Sequence, residues 1–443
     1  MRPQGVFLRN SDAITWGVRP SCDTGHRLRP PVVGRAKVGT VPMGLLAEFL
    51  WRVQWLIGDN AQVMKKLTRR EFLMNASAAT LAAAAAPSFA TPPSAGKNRQ
   101  RVLVGSNTAE GILAYDWDLA SGELISAGVA VKLDRVDWLT YSEDRRFLFA
   151  ASEVHTFDGK PTGGVVSFNV TNGELKQLSR QNAASVGTVH IALDRTGKVL
   201  TAADYMGGGA ASFLVKDGKL SPAVWSEIYV GKGPNKERQE KAHAHFVAYS
   251  PDNRFVYIDD LGSDCIHIYK LDAETAMLTK AGIYTAKPGA GPRTLHFHPN
   301  AHTGYSVNEL DSTIDVLEWS KADGGLTLVS RIELLPEGYH GPTRACDTVI
   351  TRDGKFVYFA NRDNNFLYSF RAEFESGKLT PIARSNCGGK TPRNFVLDPT
   401  ENWMLVANQD SNLISVFRRN TETGELTNEG KSYLAAEPMR ILF

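Results

Sequence analysis

The stretch FVAYSPDNRFVYIDDLGSDCIHIYKLDAETAMLTKAG, residues 246–282, decides the fold. It contains four short runs in which apolar and aromatic residues alternate with polar ones, and turn residues such as Pro-Asp-Asn separate the runs. Alternation over about four to eight residues is the period of a β-strand with one buried face. The stretch therefore predicts four short antiparallel strands joined by tight turns.

The same pattern recurs along the chain. DTVITRDGKFVYFANRDNNFLYSFRAEFESGKLTPIA at 347–383 and NFVLDPTENWMLVANQDSNLISVFRRNTETGELTNEG at 394–430 repeat it closely. A repeat of this length with four strands per copy is typical of a β-propeller. We count seven copies. One residue near the start of a strand serves as the anchor of each copy, and successive anchors lie 45 to 56 residues apart: Val102, Phe147, Val199, Phe255, Tyr305, Phe356 and Trp403.

The two ends of the repeat array complete each other. The first copy, which begins at Arg101, lacks its opening strand, and PMRILF at 438–443 supplies a strand with no continuation. Pairing these ends would close a ring of sheets and leave only short protected edges. We therefore predict an all-β fold, a seven-bladed β-propeller closed by a C-terminal strand, over residues 91–443.

Residues 1–90 contain all of the excess of basic over acidic side chains in the sequence. Of the 50 basic and 47 acidic side chains, 12 and 5 lie in residues 1–90, so 38 and 42 remain in the rest. A slightly acidic body without a clustered basic face argues against a nucleic-acid partner.

Residues 64–90, MKKLTRREFLMNASAATLAAAAAPSFA, have the order of parts found in an export signal. Arg69-Arg70 precedes Phe72-Leu73 and an Ala-rich run, and small residues end the segment. This run is too short for a convincing membrane-spanning helix. We expect a twin-arginine signal peptide read by the twin-arginine export machinery, a periplasmic mature protein outside the membrane, and residues 1–63 as a gene-model extension or a disordered segment.

The mature part has three cysteines, Cys265, Cys346 and Cys387, with no C-x-x-C pair. This excludes a zinc knuckle and a c-type haem attachment. An oxidising compartment could pair two of them, but buried single thiols are the favoured interpretation.

Polar residues recur at two places that a propeller brings together. The first strand of each blade lines the central channel and the second returns antiparallel, so the start of the first and the end of the second share one face of the disc. The residue types at these places differ between blades, and this difference favours a site for an asymmetric ligand. Any one of these polar residues could equally well serve only to tie neighbouring loops together. The first strands begin with His190, His245, Arg293, Arg344, Arg393 and Arg440, and the second strands end with Asn107, Glu153, Asp204, Asp260, Glu309, Arg362 and Gln409.

Arginines beside histidines and a carboxylate suit a small, anionic, oxygen-rich molecule. A neutral His or a Glu can take a proton from water, and arginine N–H groups can stabilise an oxyanion. The chain has no G-x-S-x-G nucleophile elbow and no G-x-G-x-x-G between a strand and a helix. These parts suffice for hydrolysis of a lactone without a covalent nucleophile, a metal or a cofactor.

His243 and His245 could together bind a metal ion only if His243 lies in the loop before the strand, and their spacing supplies no third ligand. We therefore predict no metal there, and we interpret His296 and His298 as packing or channel residues.

The repeats resemble the seven-bladed propeller lactonases, which include bacterial 6-phosphogluconolactonases and the fungal carboxy-cis,cis-muconate cyclase. The similarity covers roughly residues 100–443, and the phrases G-P-R…N-E-L, A-N-R and P-R-x-F…A-N-Q carry it. It implies a catalytic set of His245, Arg293, Glu309 and Arg362, with Glu309 or His245 as the base toward water. We add His190, His243, Asp260, Arg393 and Gln409 as predicted substrate-binding residues.

The sequence thus predicts a lactone hydrolase that acts on a small anionic sugar-acid or organic-acid lactone. Two alternatives stay open. One is a propeller that binds a ligand or protein without turnover, and the other is a cycloisomerase of the muconate type that forms a lactone.

Overall fold

The computed structural model describes residues 98–443, which form 29 strands and two short 3-10 helices. The strands build seven antiparallel sheets, and β29 pairs with β1 to complete the first of them. This confirms the predicted all-β, seven-bladed propeller closed by a C-terminal strand. The predictions for residues 1–63 and 64–90 lie outside the described residues.

Blades 1 to 3 contain β1 to β12 together with β29. In blade 3 two short strands share the outer position, because β11 and β12 both pair with β10. The bounds are β1 Arg99–Ser106, β2 Ile112–Asp118, β3 Glu123–Val131 and β29 Pro438–Leu442 in blade 1; β4 Val136–Tyr141, β5 Phe147–Ser152, β6 Gly164–Thr171 and β7 Glu174–Asn182 in blade 2; and β8 Thr188–Leu193, β9 Val199–Asp204, β10 Gly209–Lys216, β11 Lys219–Leu220 and β12 Trp225–Ile228 in blade 3.

Blades 4 to 7 are four-stranded meanders. The two 3-10 helices, Leu261–Ser263 and Gln409–Ser411, follow the second strands of blades 4 and 7. The bounds are β13 Ala244–Tyr249, β14 Phe255–Asp260, β15 Cys265–Asp272 and β16 Met277–Thr285 in blade 4; β17 Pro292–Phe297, β18 Thr303–Asn308, β19 Thr313–Trp319 and β20 Leu326–Glu333 in blade 5; β21 Ala345–Ile350, β22 Phe356–Asn361, β23 Phe366–Ala372 and β24 Leu379–Asn386 in blade 6; and β25 Pro392–Leu397, β26 Trp403–Asn408, β27 Leu413–Arg419 and β28 Leu426–Leu434 in blade 7.

The core is divided among the interfaces between neighbouring sheets. Each of seven clusters of buried apolar side chains lies between two adjacent blades. Between blades 7 and 1, for example, Trp117 meets Trp403 edge to face, with ring centroids 6.1 Å apart. Since the second strands are buried on both faces, β14 and β22 are nearly continuous apolar runs.

The described cysteines agree with the expectation from sequence. Cys265, Cys346 and Cys387 are buried single thiols. Within residues 98–443, no helix combines the length and the apolar character that crossing a bilayer requires.

One contact between blades explains two recurring features of the repeat. The hydroxyl of a tyrosine in a second strand donates to the carbonyl of a turn glycine in the next blade, as in Tyr358 to Gly424 at 2.9 Å and Tyr305 to Gly377 at 2.7 Å. Gly424 has φ of +80°, and an added Cβ there would overlap the ring of Phe356. The aromatic strand and the Gly-x-Leu turn therefore recur because they pack against each other.

Replacing Gly424 by alanine is expected to lower the free energy of unfolding by about 2–4 kcal/mol, since it adds left-handed strain and a clash with Phe356. Gly430→Ala is the matched control, because Gly430 has φ of +71° but nothing within 4 Å of an added Cβ. We expect the control to cost about 1–2 kcal/mol, from strain alone. Urea unfolding of both variants measures the difference, and equal losses would contradict the packing explanation.

Candidate active site

A β-bulge near the start of the innermost strands points side chains into the channel. The pairing of the first two strands shifts register around Asp137 in blade 2, His245 in blade 4, Arg293 in blade 5 and Arg393 in blade 7. A bulge leaves one residue unpaired and re-aims its side chain. These four side chains line one narrow cavity in the channel.

Glu309 lies at the centre of a cluster of arginines. It directly follows β18, and its Oε2 lies 2.9 Å from Arg293 Nε and 2.6 Å from Arg362 Nη2. Its Oε1 accepts a hydrogen bond of 2.6 Å from Arg238 Nη2. Glu309, Arg293 and Arg362 are 1%, 4% and 5% exposed, so this cluster is almost fully shielded from water.

The three guanidinium groups determine the charge of Glu309. Burial raises the pKa of this carboxyl, but Arg362, Arg293 and Arg238 outweigh burial and lower its pKa to about 2. Glu309 is therefore ionised at any pH near neutrality. Three cations against one anion leave the cluster with a net positive charge.

Several buried polar atoms of the cluster have no hydrogen-bond partner among the described residues. They are His245 Nδ1, Arg293 Nε and two nitrogens of Arg362, Nε and Nη2. Arg293 Nε and Arg362 Nη2 have Glu309 as an ion-pair partner, so of these four atoms His245 Nδ1 and Arg362 Nε are left with neither a hydrogen bond nor an ion pair. Because buried polar groups are almost always paired in folded proteins, such atoms side by side need an explanation. Since His245 and Arg293 both line the narrow cavity and Arg362 lies beside them on Glu309, this arrangement suits a polar ligand.

His245 is a neutral base in this setting. Burial lowers the pKa of its imidazole well below the usual value, and Arg293, Arg393 and Arg362 lower it further. The ring lies beside Tyr205, with centroids 5.5 Å apart in an edge-on arrangement. His245 is thus unprotonated at neutral pH and can accept a proton.

Two residues that no sequence pattern indicated contact the cluster: Arg238 in the loop between β12 and β13, and Tyr205 in the turn after β9. Arg238 Nη2 also donates to the Tyr205 hydroxyl at 2.9 Å, and the Tyr205 ring stacks on His243 with centroids 4.6 Å apart. The side chain of Arg238 is 32% exposed, so it covers Glu309 from the solvent side. The longest interval between repeat anchors, 56 residues from Val199 to Phe255, marked this insertion.

His243 lies in the loop just before β13, and its side chain is buried. Its Nδ1 contacts the Tyr205 carbonyl at 2.9 Å, and its Nε2 contacts a Glu240 carboxylate oxygen at 3.2 Å. Both ring nitrogens are therefore occupied, one by the turn after β9 and one by its own loop. His243 is not among the residues that line the narrow cavity, and its contacts are those of a residue that positions the loop.

Arg393 and Asp137 form a second charged pair in the cavity. Arg393 Nη2 lies 3.3 Å from Asp137 Oδ1. Burial raises the pKa of Asp137, and Arg393 partly offsets this. Arg393 follows a Thr-Pro pair and could be predicted from sequence, whereas the segment of Asp137, R-V-D-W, has none of the Gly-Pro or Thr-Pro signals that mark other strand starts.

Of three further residues that the sequence placed at the same mouth, His190 lines the narrow cavity and the other two do not. His190 lies one residue beyond the shifted position of its strand, and its ring packs on Phe246 with centroids 3.8 Å apart. Arg344 pairs with Asp363 at 2.5 Å outside the cavity. Arg440 packs over Trp138 and lines a cavity of about 420 Å³ at the opposite mouth, together with His296. A shift of one residue along a strand turns a side chain to the other face.

The last two predicted substrate-binding residues are not among the cavity-lining side chains. Asp260 is fully buried, and its Oδ1 accepts from the backbone amides of His243, Gly262 and Ser263. Gln409 opens the 3-10 helix Gln409–Ser411, and its backbone amide donates to the Thr391 carbonyl. Asp260 thus caps a turn rather than facing the channel.

Comparison with known proteins agrees with this arrangement. Residues 101–443 match the family described as lactonase, 7-bladed β-propeller. A 6-phosphogluconolactonase of Bacillus subtilis is 31% identical over 300 residues, which cover 67% of this chain and 84% of that protein. A 6-phosphogluconolactonase of Formosa agariphila is 32% identical over 317 residues, which cover 69% of this chain and 88% of the relative.

The fold is also similar to a solved structure. The periplasmic gluconolactonase PpgL of Pseudomonas aeruginosa aligns with a TM-score of 0.72 and 29% identity, over 77% of this chain and 98% of its own. The family match spans all seven blades and includes Arg293, Glu309 and Arg362 of the arginine cluster. The chain belongs to the seven-bladed β-propeller lactonase family.

Proposed function

We propose that this lactonase hydrolyses a small anionic lactone of a sugar acid or related organic acid in the channel mouth. The observation that carries the proposal is the buried cluster of Arg293 and Arg362 around an ionised Glu309, beside a His245 whose Nδ1 has no hydrogen-bond partner among the described residues. The relatives named 6-phosphogluconolactonase and gluconolactonase support the same reaction class. The net positive charge of the cluster favours a substrate that carries a carboxylate or phosphate.

The residues suggest a division of roles. The N–H groups of Arg293 and Arg362 receive the lactone carbonyl oxygen, and they stabilise the negative charge that develops there when water attacks. His245 Nδ1 takes the proton of that water. The tetrahedral intermediate then collapses, the ring C–O bond breaks, and the proton passes from His245 to the departing alkoxide. The products are the open hydroxy acid and unchanged enzyme.

Glu309 fits the role of a counter-charge better than that of the base. Whereas His245 Nδ1 has no hydrogen-bond partner among the described residues, both carboxylate oxygens of Glu309 are already bound by guanidinium groups. Its three ion contacts hold the guanidinium groups in place beside the cavity. We therefore assign the base to His245, one of the two candidates from sequence.

The pH dependence of kcat/KM tests this assignment. The neutral imidazole is the active form and its pKa lies well below the usual value, so activity is expected to stay constant through pH 6 and to fall only in more acidic solution. His245→Ala is expected to lower kcat by about 10²–10⁴-fold. Added imidazole is expected to restore part of the lost rate, which a residue with only a packing role would not show.

The control is His296→Ala, because His296 lines the cavity at the opposite mouth. This variant is expected to keep the wild-type rate and pH profile on a panel of sugar-acid lactones. A His245→Ala enzyme with the wild-type rate would overturn the assignment of the base. Tight binding of lactones without turnover by the wild type would instead favour the non-catalytic alternative.

We further propose a periplasmic location through twin-arginine export. The proposal rests on residues 64–90 and on the similarity to a gluconolactonase described as periplasmic. Replacing both Arg69 and Arg70 by lysine is expected to move the protein from the periplasmic to the cytoplasmic fraction. Cell fractionation checks this, and an unchanged distribution would rule out this export route.

A further inference from the structure

Three potential metal ligands meet at the rim of blade 4, outside the proposed active site. Cys265 and His267 lie two residues apart on β15, so their side chains share one face of the strand. Asp260, the last residue of β14, is the direct cross-strand partner of Cys265. Strand register alone therefore brings a thiol, an imidazole and a carboxylate together.

The separations of these atoms fit a metal ion. His267 Nε2 lies 3.6 Å from Cys265 Sγ and 3.4 Å from Asp260 Oδ2. The three ligand atoms all lie within 4.8 Å of one another. In tetrahedral zinc sites with Zn–S of about 2.3 Å and Zn–N or Zn–O of about 2.0–2.1 Å, neighbouring ligand atoms are about 3.4–3.6 Å apart.

Neighbouring groups hold two of the ligands in orientation. The backbone amides of His243, Gly262 and Ser263 occupy Asp260 Oδ1, which leaves Oδ2 to face His267. The His267 ring stacks on Tyr229, with centroids 3.9 Å apart and an interplanar angle of 9°. Contacts of this kind fix ligand orientation in metal sites. Contacts from outside the triad thus orient Asp260 and His267.

We propose that Asp260, Cys265 and His267 form a binding site for Zn²⁺. Mixed sulfur, nitrogen and oxygen donors select zinc over magnesium or calcium, which prefer oxygen ligands. Binding releases the Cys265 thiol proton, and a water molecule completes four-coordination because the His267 side chain is 15% exposed. The ion would join both strands of the β14–β15 hairpin.

Cobalt titration of the full-length protein, after metal removal with EDTA, tests the site. We expect one equivalent of Co²⁺ to give an intense thiolate-to-cobalt charge-transfer band in the near ultraviolet. Added Zn²⁺ is expected to displace the cobalt ion and to abolish the band. We expect Cys265→Ser to lose the band. Cys346→Ser is the matched control, because Cys346 is a buried thiol in blade 6 that lines no such cluster, and it is expected to keep the band.

Two further measurements keep the test independent of the folding of one variant. His267→Gln is expected to weaken Zn²⁺ binding by at least about 10-fold, as measured by calorimetry. Zn²⁺ at about 100 times its Kd is expected to raise the Tm of the wild type by about 4 °C and to leave that of His267→Gln unchanged. Absence of a charge-transfer band in the wild type, or a full band in Cys265→Ser, would overturn the proposal.

Discussion

Arg293→Ala is expected to lower kcat/KM for lactone hydrolysis by about 10²–10³-fold, the usual loss when one oxyanion donor is removed. Arg293 is 4% exposed, its Nε lies 2.9 Å from Glu309, and that N–H has no directed hydrogen bond among the described residues. The lost interaction forms mainly in the transition state, so the fall is expected in kcat more than in KM. Steady-state kinetics on a sugar-acid lactone measures it.

Arg344→Ala is the matched control for this variant. From sequence, Arg344 looked equivalent to Arg293, but it pairs with Asp363 outside the cavity and its side chain is 40% exposed. Its replacement is expected to change kcat/KM by less than about 3-fold, because a partly exposed ion pair contributes little. Equal losses for the two variants would remove Arg293 from the proposed site.

Arg293→Lys separates the donor geometry from the charge. Lysine keeps the positive charge beside Glu309 but lacks the planar fork of N–H donors. We expect it to retain the stability of the wild type better than Arg293→Ala does, while its kcat stays low. A lysine variant with full activity would show that the charge alone is sufficient.

Deletion of residues 438–443 is expected to abolish cooperative folding. This segment contains β29, which pairs with β1 and supplies the innermost strand of blade 1. Ile441 and Met439 are 0% and 2% exposed, so the deletion removes two buried side chains and one strand pairing. The loss of about 5–10 kcal/mol is comparable to the whole stability of a typical domain. Circular dichroism and thermal unfolding measure it.

A pair of point substitutions gives a milder version of the same test. Ile441→Ala removes a fully buried side chain from the cluster between blades 7 and 1, and we expect it to cost about 2–5 kcal/mol. Leu434→Ala is the control, since this side chain is 85% exposed and its loss should cost less than about 0.5 kcal/mol. Similar stabilities for the two variants would mean that β29 does not close the ring.

The fold could be predicted because the sequence states it seven times. Each repeat contains the alternation of its strands and the residues of its turns, and copies confirm one another. The functional residues are not repeated in this way. Their identities change from blade to blade, so only their approximate place at the start or end of a strand could be inferred.

The residues that were misplaced or missed share physical causes. Bulges decide which of two adjacent residues faces the channel. Arg293 occupies the bulge of its strand, whereas Arg440 and His190 each lie one residue beyond the bulge of theirs. Arg238 belongs to a loop with no counterpart in other repeats, so no pattern predicted that it contacts Glu309. Asp260 occupies the predicted strand end, but its hydrogen bonds turn it toward the backbone.

The sequence by itself determined the architecture: period-two strands, turn glycines and a displaced last strand are local features whose energetics depend on near neighbours. Only the tertiary structure decided the charge state and partners of the site. The low pKa of Glu309, the neutral state of His245 and the triad of Asp260, Cys265 and His267 arise from burial and from the register between strands. Those quantities depend on distances between residues that are remote in sequence, and electrostatic interactions in a shielded channel vary steeply with such distances.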